Sequence, residues 1–506
     1  MSVVGVDVGT SGSKALALDS EGQVIAFAAH SYPRQSPQPG WQEIEPEVLL
    51  GAVESAIGEV AGATRKDPVE AVSFSVFGGS CVALDHDLRP CCNLISTTDA
   101  RANADAVRWS ETFGAERTYR ITGNIPHSSL LLPKAMMFRR LRPELFARCT
   151  MLASAEEMIF TSLGLPPVVD RSTASTYMAS ELSNAEWSLE ILEAAGIPRR
   201  MLPKIVPCGS VIGTLPASVA RRLNVAEGVP VVAGGHDQQV ASFGAGLIGC
   251  GEATVSLGTV EAAGTVTDIP RLHRGFFDAS IPTWRHVVEG QFYSLVYSFS
   301  CGDLLNWAAR TLWGARPGQE TARLKQALSS LPQRPARALV LPHLCGSGTP
   351  QMDPLSRGAI VGLDSGSTRE EILRAVLDSQ NYEMRLNFET WADLGIEVSR
   401  LRAFGGLAQS DAILQIKADI LGVEVARLGC TEAGCIGAAV LAGSGAGLID
   451  DAAGFLRRHV REVRVFEPRA EFAREHEEMY SVYRRLYDSL KETNHQLAAL
   501  CAARAG

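Results

Sequence analysis

The chain has no Cys-x-x-Cys pair, and its eleven cysteines are scattered without a Cys/His cluster at metal-ligand spacing. That pattern argues against a zinc module and a disulfide framework alike, so buried or free thiols in a reducing cytosol are expected. Positive charge is not in excess: 47 Lys and Arg stand against 56 Asp and Glu, a net charge of −9. Such a balance argues against a nucleic-acid partner or an anionic membrane surface, and an anionic substrate would need locally placed donors. Long apolar runs are missing as well. The longest run of small apolar residues, Gly434 to Ile449, is too short and too rich in glycine to span a bilayer. The start of the chain lacks a basic segment, and Asp7 interrupts its apolar opening, so no signal peptide and a cytoplasmic location are expected.

What is present is an ordinary globular composition, 46% hydrophobic and 20% charged. At 506 residues the chain is too long for one core and predicts two large domains. The opening stretch "GVDVGTSGSKALALD", Gly5 to Asp19, has the glycine, serine and threonine content of a phosphate loop. It is not a P-loop, because Lys14 follows Ser13 and precedes Ala15, and Gly9 and Gly12 alone do not make a dinucleotide fingerprint. The alternating "KALALD", the turn "DSEG" and the strand-like "QVIAFAAHSY" predict an antiparallel meander rather than a βα unit. An ordinary hairpin turn would also fit these glycines. Asp7 argues otherwise, since a carboxylate inside an apolar strand is costly unless it is paired or binds a metal.

Further along, Pro46 opens a predicted helix and "VEAVSFSVFGG" reads as a buried strand. "PKAMMFRRLRPELFARC" reads as a helix interrupted at Pro143, and "GVPVVAGGHDQQVASFGAG" as strand, glycine turn and helix. "VSLGTVEAAGTVTD" then echoes the opening, with Gly258-Thr259 in the place of Gly9-Thr10, which suggests an internal duplication. Thr368 is positioned to cap a long helix, "LRAFGGLAQSDAILQIKADILG" repeats the strand, turn, helix order, and Ala470 to Ala503 predicts one capping helix for the second domain.

These motifs, with "GTPQMDPLSRGAIVGL" and "TEAGCIGAAVLAG", run in one order over nearly the whole chain and resemble the FGGY carbohydrate kinases of the actin-like ATPase superfamily. The resemblance implies an α/β fold of two RNase H-like domains flanking a deep cleft, residues 1–246 and 247–506. It implies an ATP-dependent enzyme that phosphorylates a hydroxyl of a small sugar or polyol, most readily a ketose, with Mg²⁺ as cofactor. A homodimer is left open. The first phosphate turn would fall on Gly9, Thr10 and Ser11 with Lys14 close by, and the second on Gly258 and Thr259. Adenosine would meet Gly405, Gly406, Ala408 and Gln409. Asp237 matches the catalytic base, and Asp7 the strand aspartate that with it attends the metal.

The sugar is expected against Phe77, Gly78, Gly79, Asp99, His236, Asp237 and Gln238. The residues alone also allow Asp237 to be a helix N-cap and His236 a satisfied loop histidine. Several positions depart from the family pattern around this pocket. Gly78-Gly79 stand where xylulose kinases usually carry Met-His, and Thr97 replaces a tryptophan, whereas Asp99 and Arg101 are kept. Gln238 follows the base as in glycerol kinases, which makes a polyol kinase the second reading, and a non-kinase actin-like ATPase the third. Trp41 and Phe77 could stack on a sugar but are more in keeping with core packing, and Arg357 is expected to anchor its loop to Asp353.

Overall fold

The structure is a computed structural model that describes residues 2–429 and 431–505. Alternating apolar residues build the opening meander as expected: β1 (Ser2–Val8), β2 (Gly12–Asp19) and β3 (Val24–Ser31) pair antiparallel in sequence. β4 (Val69–Val76) joins β1 in parallel. Next come β5 (Val211–Thr214) and β6 (Pro230–His236), with β6 parallel to β4 and β5 antiparallel at the edge. The first sheet therefore runs β5-β6-β4-β1-β2-β3.

The second sheet repeats this plan. β7 (Glu252–Leu257), β8 (Glu261–Thr267) and, after the short β9 (Thr283–Arg285), β10 (Phe292–Ser298) form its meander. β11 (Arg400–Phe404) and β12 (Glu424–Leu428) continue in parallel from β7, and β13 (Glu462–Phe466) closes the edge antiparallel. The order is β9-β10-β8-β7-β11-β12-β13. Apart from the added edge strand β9, each strand has its counterpart in the first sheet. Two copies of one α/β plan, each with its own apolar core, are the duplication that the paired Gly-Thr turns suggested.

Helices cover the sheets. α1 (Pro46–Ala63) begins at its proline and turns Leu49, Val53, Ile57 and Val60 inward. α2 (Asp237–Gly244) follows β6 without a break. In the second half lie α3 (Gly302–Trp313), α4 (Arg369–Asp393) and α5 (Asp411–Leu421). Thr368 caps α4 in a full capping box with Glu371. α6 (Ala433–Gly445) follows the second sheet in sequence but packs against β1, β4, β6 and α2 of the first. Glycine makes that approach possible. A Cβ on Gly437 would lie 2.1 Å from the Val240 carbonyl oxygen, and one on Gly5 would lie 1.9 Å from that of Cys435.

Three local expectations are corrected. Gly234 and Gly235 are not a turn but the last part of β6, held where a Cβ on Gly234 would meet the Phe74 carbonyl oxygen at 1.8 Å. The tail forms two helices, Ala470–Tyr483 and Leu486–Ala505, rather than one. Arg357 does not reach Asp353; it donates to the carbonyls of Pro354 and Ser356, while Asp353 is held by His495 and Tyr487 from the tail. The helix break at Pro143 is as expected, with helices Leu131–Leu141 and Pro143–Arg148 on either side. Among the described residues no helix is long and apolar enough to cross a membrane.

Candidate active site

Three parallel strands of the first sheet end level with one another. Val8 of β1 and His236 of β6 both register with Val76 of β4. Gly9, Phe77 and Asp237 come next, so the first Gly-Thr turn, the expected pocket floor and the expected base leave the sheet side by side. In sheets of this kind the carboxyl ends of the strands are where ligands bind. With a strand spacing of about 4.8 Å, the turn and the base stand roughly 10 Å apart. The turn is tight: the Gly9 N–H donates to the Gly12 carbonyl at 2.9 Å, and the Tyr32 hydroxyl donates to that of Gly9. Thr10 is half-buried and Ser11 is exposed at its tip.

Asp7 sits one residue before the end of β1. Its Oδ1 accepts from the Ser75 hydroxyl at 2.6 Å, and the N-terminus of α6 closes on it so nearly that a Cβ on Gly434 would lie 2.7 Å away. Burial pushes the Asp7 carboxyl up to about 6; the Ser75 bond opposes this and the charge of Asp237 adds to it. Asp237 is pushed up to about 7 by burial, against the Gln238 N–H that donates to its Oδ1 at 2.7 Å. Its side chain keeps 29% of its surface open. Both carboxyls are thus raised chiefly by burial, and the Asp237 charge adds to the rise at Asp7 while Lys14 opposes it. Their carboxylate oxygens are hard donors of the kind that would hold a small divalent cation.

Lys14 does not stand free beside the turn. Its Nζ lies 2.7 Å from the Glu432 carboxylate. Asp237 is not the cap of α2 but its first residue; His236 holds the cap position and makes no side-chain cap bond.

At the end of β4, the His236 ring occupies the space that a side chain at Gly78 would need. A Cβ on Gly78 would lie 2.4 Å from the His236 ring, and one on Gly79, at φ +69°, would lie 2.0 Å from the Ser129 carbonyl oxygen. The ring meets Trp284 edge-on at 5.2 Å, and the Trp284 indole donates to Asn124 at 2.8 Å. Burial pushes the imidazole down to about 4, so it is neutral, with Nδ1 buried and without a hydrogen-bond partner. Thr97 donates to the Gly78 carbonyl at 2.6 Å. Lys134, fully buried, donates to the carbonyls of Gly79 at 2.8 Å and Ser128 at 2.6 Å.

Asp99 is placed differently from expectation. Its oxygens are taken up by Arg101 and by the Gln42 N–H, each at 2.7 Å, and Arg101 continues to Glu43 while stacking on Trp41. Asp99 therefore ties the segment at Arg101 to that at Gln42. Phe77 is buried core. Next to Asp237 in sequence, the His236 N–H donates to the Ser172 hydroxyl at 2.9 Å, which in turn donates to Asp170 at 2.5 Å. Asp170 in turn caps the helix Arg171–Ser175.

The second sheet presents the other turns. β7 ends at Leu257, leaving Gly258 and Thr259 exposed, and their carbonyls accept the N–H groups of Gly302 (3.0 Å) and Cys301 (3.3 Å) at the start of α3. Gly405 follows the neighbouring strand at φ +95°, where a Cβ would lie 2.8 Å from the Leu257 carbonyl oxygen. Gly406–Gln409 form a short 3-10 turn with Gly406 and Gln409 exposed. Ala408 points into the core. Sequence reading had no signal for Glu432, Ser172, Asn124 or Trp284, which reach the site from distant segments.

Comparison with known proteins bears on the family and the fold. The model of the N-terminal domain of the FGGY family of carbohydrate kinases matches residues 2–244, and that of its C-terminal domain matches 253–446. A xylulose kinase from Bacillus subtilis is 26% identical over 97% of this chain and 98% of its own. A glycerol kinase from Geobacter sp. is 30% identical over 89% of this chain and 91% of its own. Among solved structures, a gluconate kinase from Lactobacillus acidophilus superimposes with a TM-score of 0.91 at 22% identity, covering 98% of this chain and 99% of that one.

Proposed function

The chain belongs to the FGGY family of carbohydrate kinases, and from that membership we propose that it transfers the γ-phosphoryl group of ATP to a hydroxyl of a ketose, a pentulose or hexulose. The observation that supports the reading is the level ending of β1, β4 and β6, from which Gly9, Phe77 and Asp237 leave one edge of the sheet. The ketose preference is supported by the likeness to xylulose kinases over nearly the full chain.

Phosphoryl transfer asks the protein for position and charge more than for covalent work. In this reading Asp237 takes the proton of the attacking sugar hydroxyl. The hydroxyl oxygen bonds to the γ-phosphorus, the bond to the β–γ bridging oxygen breaks, and ADP leaves with that electron pair. In this reading His236, whose Nε2 lies 3.3 Å from Asp237 Oδ1, and Gln238 flank the base on the sugar side. The turns at Gly9–Ser11 and Gly258–Thr259 offer backbone N–H groups and hydroxyls to phosphate oxygens, and Gly405–Gln409 offers a backbone shelf for adenosine. Mg²⁺ held through Asp7 and Asp237 would neutralise phosphate charge.

A polyol kinase is the second reading, favoured by Gln238 beside the base and by the glycerol kinase relative. Coupled ADP release against ketoses, aldoses, polyols and sugar acids decides between them. The reading expects the highest kcat/KM with a ketose; a maximum with glycerol or a tetritol would replace it, and a flat response would overturn sugar phosphorylation.

A further inference from the structure

Beneath the second phosphate turn lies a charged pair that phosphoryl transfer does not touch. Glu261, the first residue of β8 and two positions after Thr259, is completely buried, and Lys417 of α5 is 1% exposed. The Lys417 Nζ donates to Glu261 Oε1 at 2.5 Å and to Asn381 Oδ1 at 2.6 Å. Gln380, beside Asn381 on α4, donates to Glu261 Oε2 at 2.9 Å and lies 3.0 Å from the Cys301 sulfur. The Cys301 N–H closes the ring by donating to the Thr259 carbonyl.

This network joins two loops that the chain separates widely. Glu261 fixes the strand that leaves Gly258-Thr259. Lys417 rides on α5, which begins directly after the turn at Gly405–Gln409. The two turns already leave neighbouring parallel strands, with Ser256 in register with Phe404. Backbone pairing sets their separation at the sheet, and the buried pair sets it one layer below.

Stability does not account for such an arrangement. Taking both charges out of water costs about as much as their attraction returns, and an apolar pair of similar volume is often as stable or more so. What an apolar pair lacks is direction. It can slide, whereas four converging hydrogen bonds fix distance and angle together. We propose that Glu261 and Lys417 are positioning residues for the nucleotide: they hold the second phosphate turn and the adenosine turn at the spacing ATP requires. The inference rests on reading those two turns as the nucleotide site.

The test replaces both charges at once. In Glu261→Leu/Lys417→Met no buried charge is left unpaired, and the protein is expected to unfold at a temperature close to that of the wild type. Calorimetric titration with MgADP is expected to show binding weakened by about tenfold, with KM for ATP raised in step and KM for the sugar unchanged. Should that variant not fold, Glu261→Gln/Lys417→Met, which leaves no buried charge and keeps an amide partner for Gln380, is measured in the same way. Unchanged MgADP affinity in a folded variant overturns the inference alone. A wild type that binds no MgADP overturns the nucleotide-site reading and the inference with it.

Discussion

The Lys14 ammonium and the Glu432 carboxylate meet at 2.7 Å across 418 positions of sequence, joining β2 of the first sheet to the start of α6. Burial works against the charged amine, but the Glu432 contact outweighs it and holds the Lys14 pKa above its usual value. The pair also brings α6 down beside Asp7, where only Gly434 leaves room. Glu432→Gln is expected to leave the fold intact, because the lysine is 44% exposed and such pairs contribute little to stability. It should let Lys14 swing away from the first phosphate turn and raise KM for ATP several-fold, with KM for the sugar unmoved. Steady-state kinetics at varied ATP and fixed sugar would show this split.

Ser172→Ala removes the hydroxyl that accepts the His236 N–H and leaves that buried donor unpaired, a cost of about 1–3 kcal/mol. Because the bond fixes the residue next to the base, kcat should fall by about tenfold while MgADP affinity stays as in the wild type. Equal loss of both would instead mean a general loosening of the first sheet.

The pKa values of Asp7 and Asp237 give a pH dependence of stability with a definite sign. Both carboxyls are raised in the folded protein, to about 6 and about 7, from an ordinary value of 3.8. Between those limits the folded state binds more protons than the unfolded one, so their contribution is fully present below pH 3.8 and is lost as pH rises through 6 and 7. The nucleotide-free protein should therefore lose thermal stability, relative to Asp7→Asn/Asp237→Asn, as pH is raised from about 4 to about 8. MgADP should restore it at the upper end, since a bound cation favours the ionised carboxylates. Scanning calorimetry of both proteins with and without MgADP tests the sign.

Much of the fold was legible because strand alternation, helix caps and turn residues are local signals. The meander at Ser2–Ser31, its echo at Glu252–Thr267 and the capped helix after Thr368 are all written within a few residues of where they form. Other features depend on contacts between distant segments. Gly234 and Gly235 read as a turn, yet the first lets β6 pack closely against β4 and the second makes room for Ser172, Val287 and Val240. The sequence of α6 is that of a buried helix, but nothing in it says that it crosses back to the first sheet. In the site, the Gly-Thr turns and Asp237 were visible as motifs. That Asp99 is consumed by Arg101 and Gln42, and that His236 fills the space above Gly78, follow only from three-dimensional packing.

The account turns on Asp237 as the base, and one variant tests it most directly. Asp237→Asn keeps the size of the side chain and removes its ability to take a proton. MgADP titration should match the wild type within about twofold, while sugar-dependent ADP release falls by at least about a hundredfold. Sugar-dependent turnover near the wild-type rate in a variant that still binds MgADP would contradict the account.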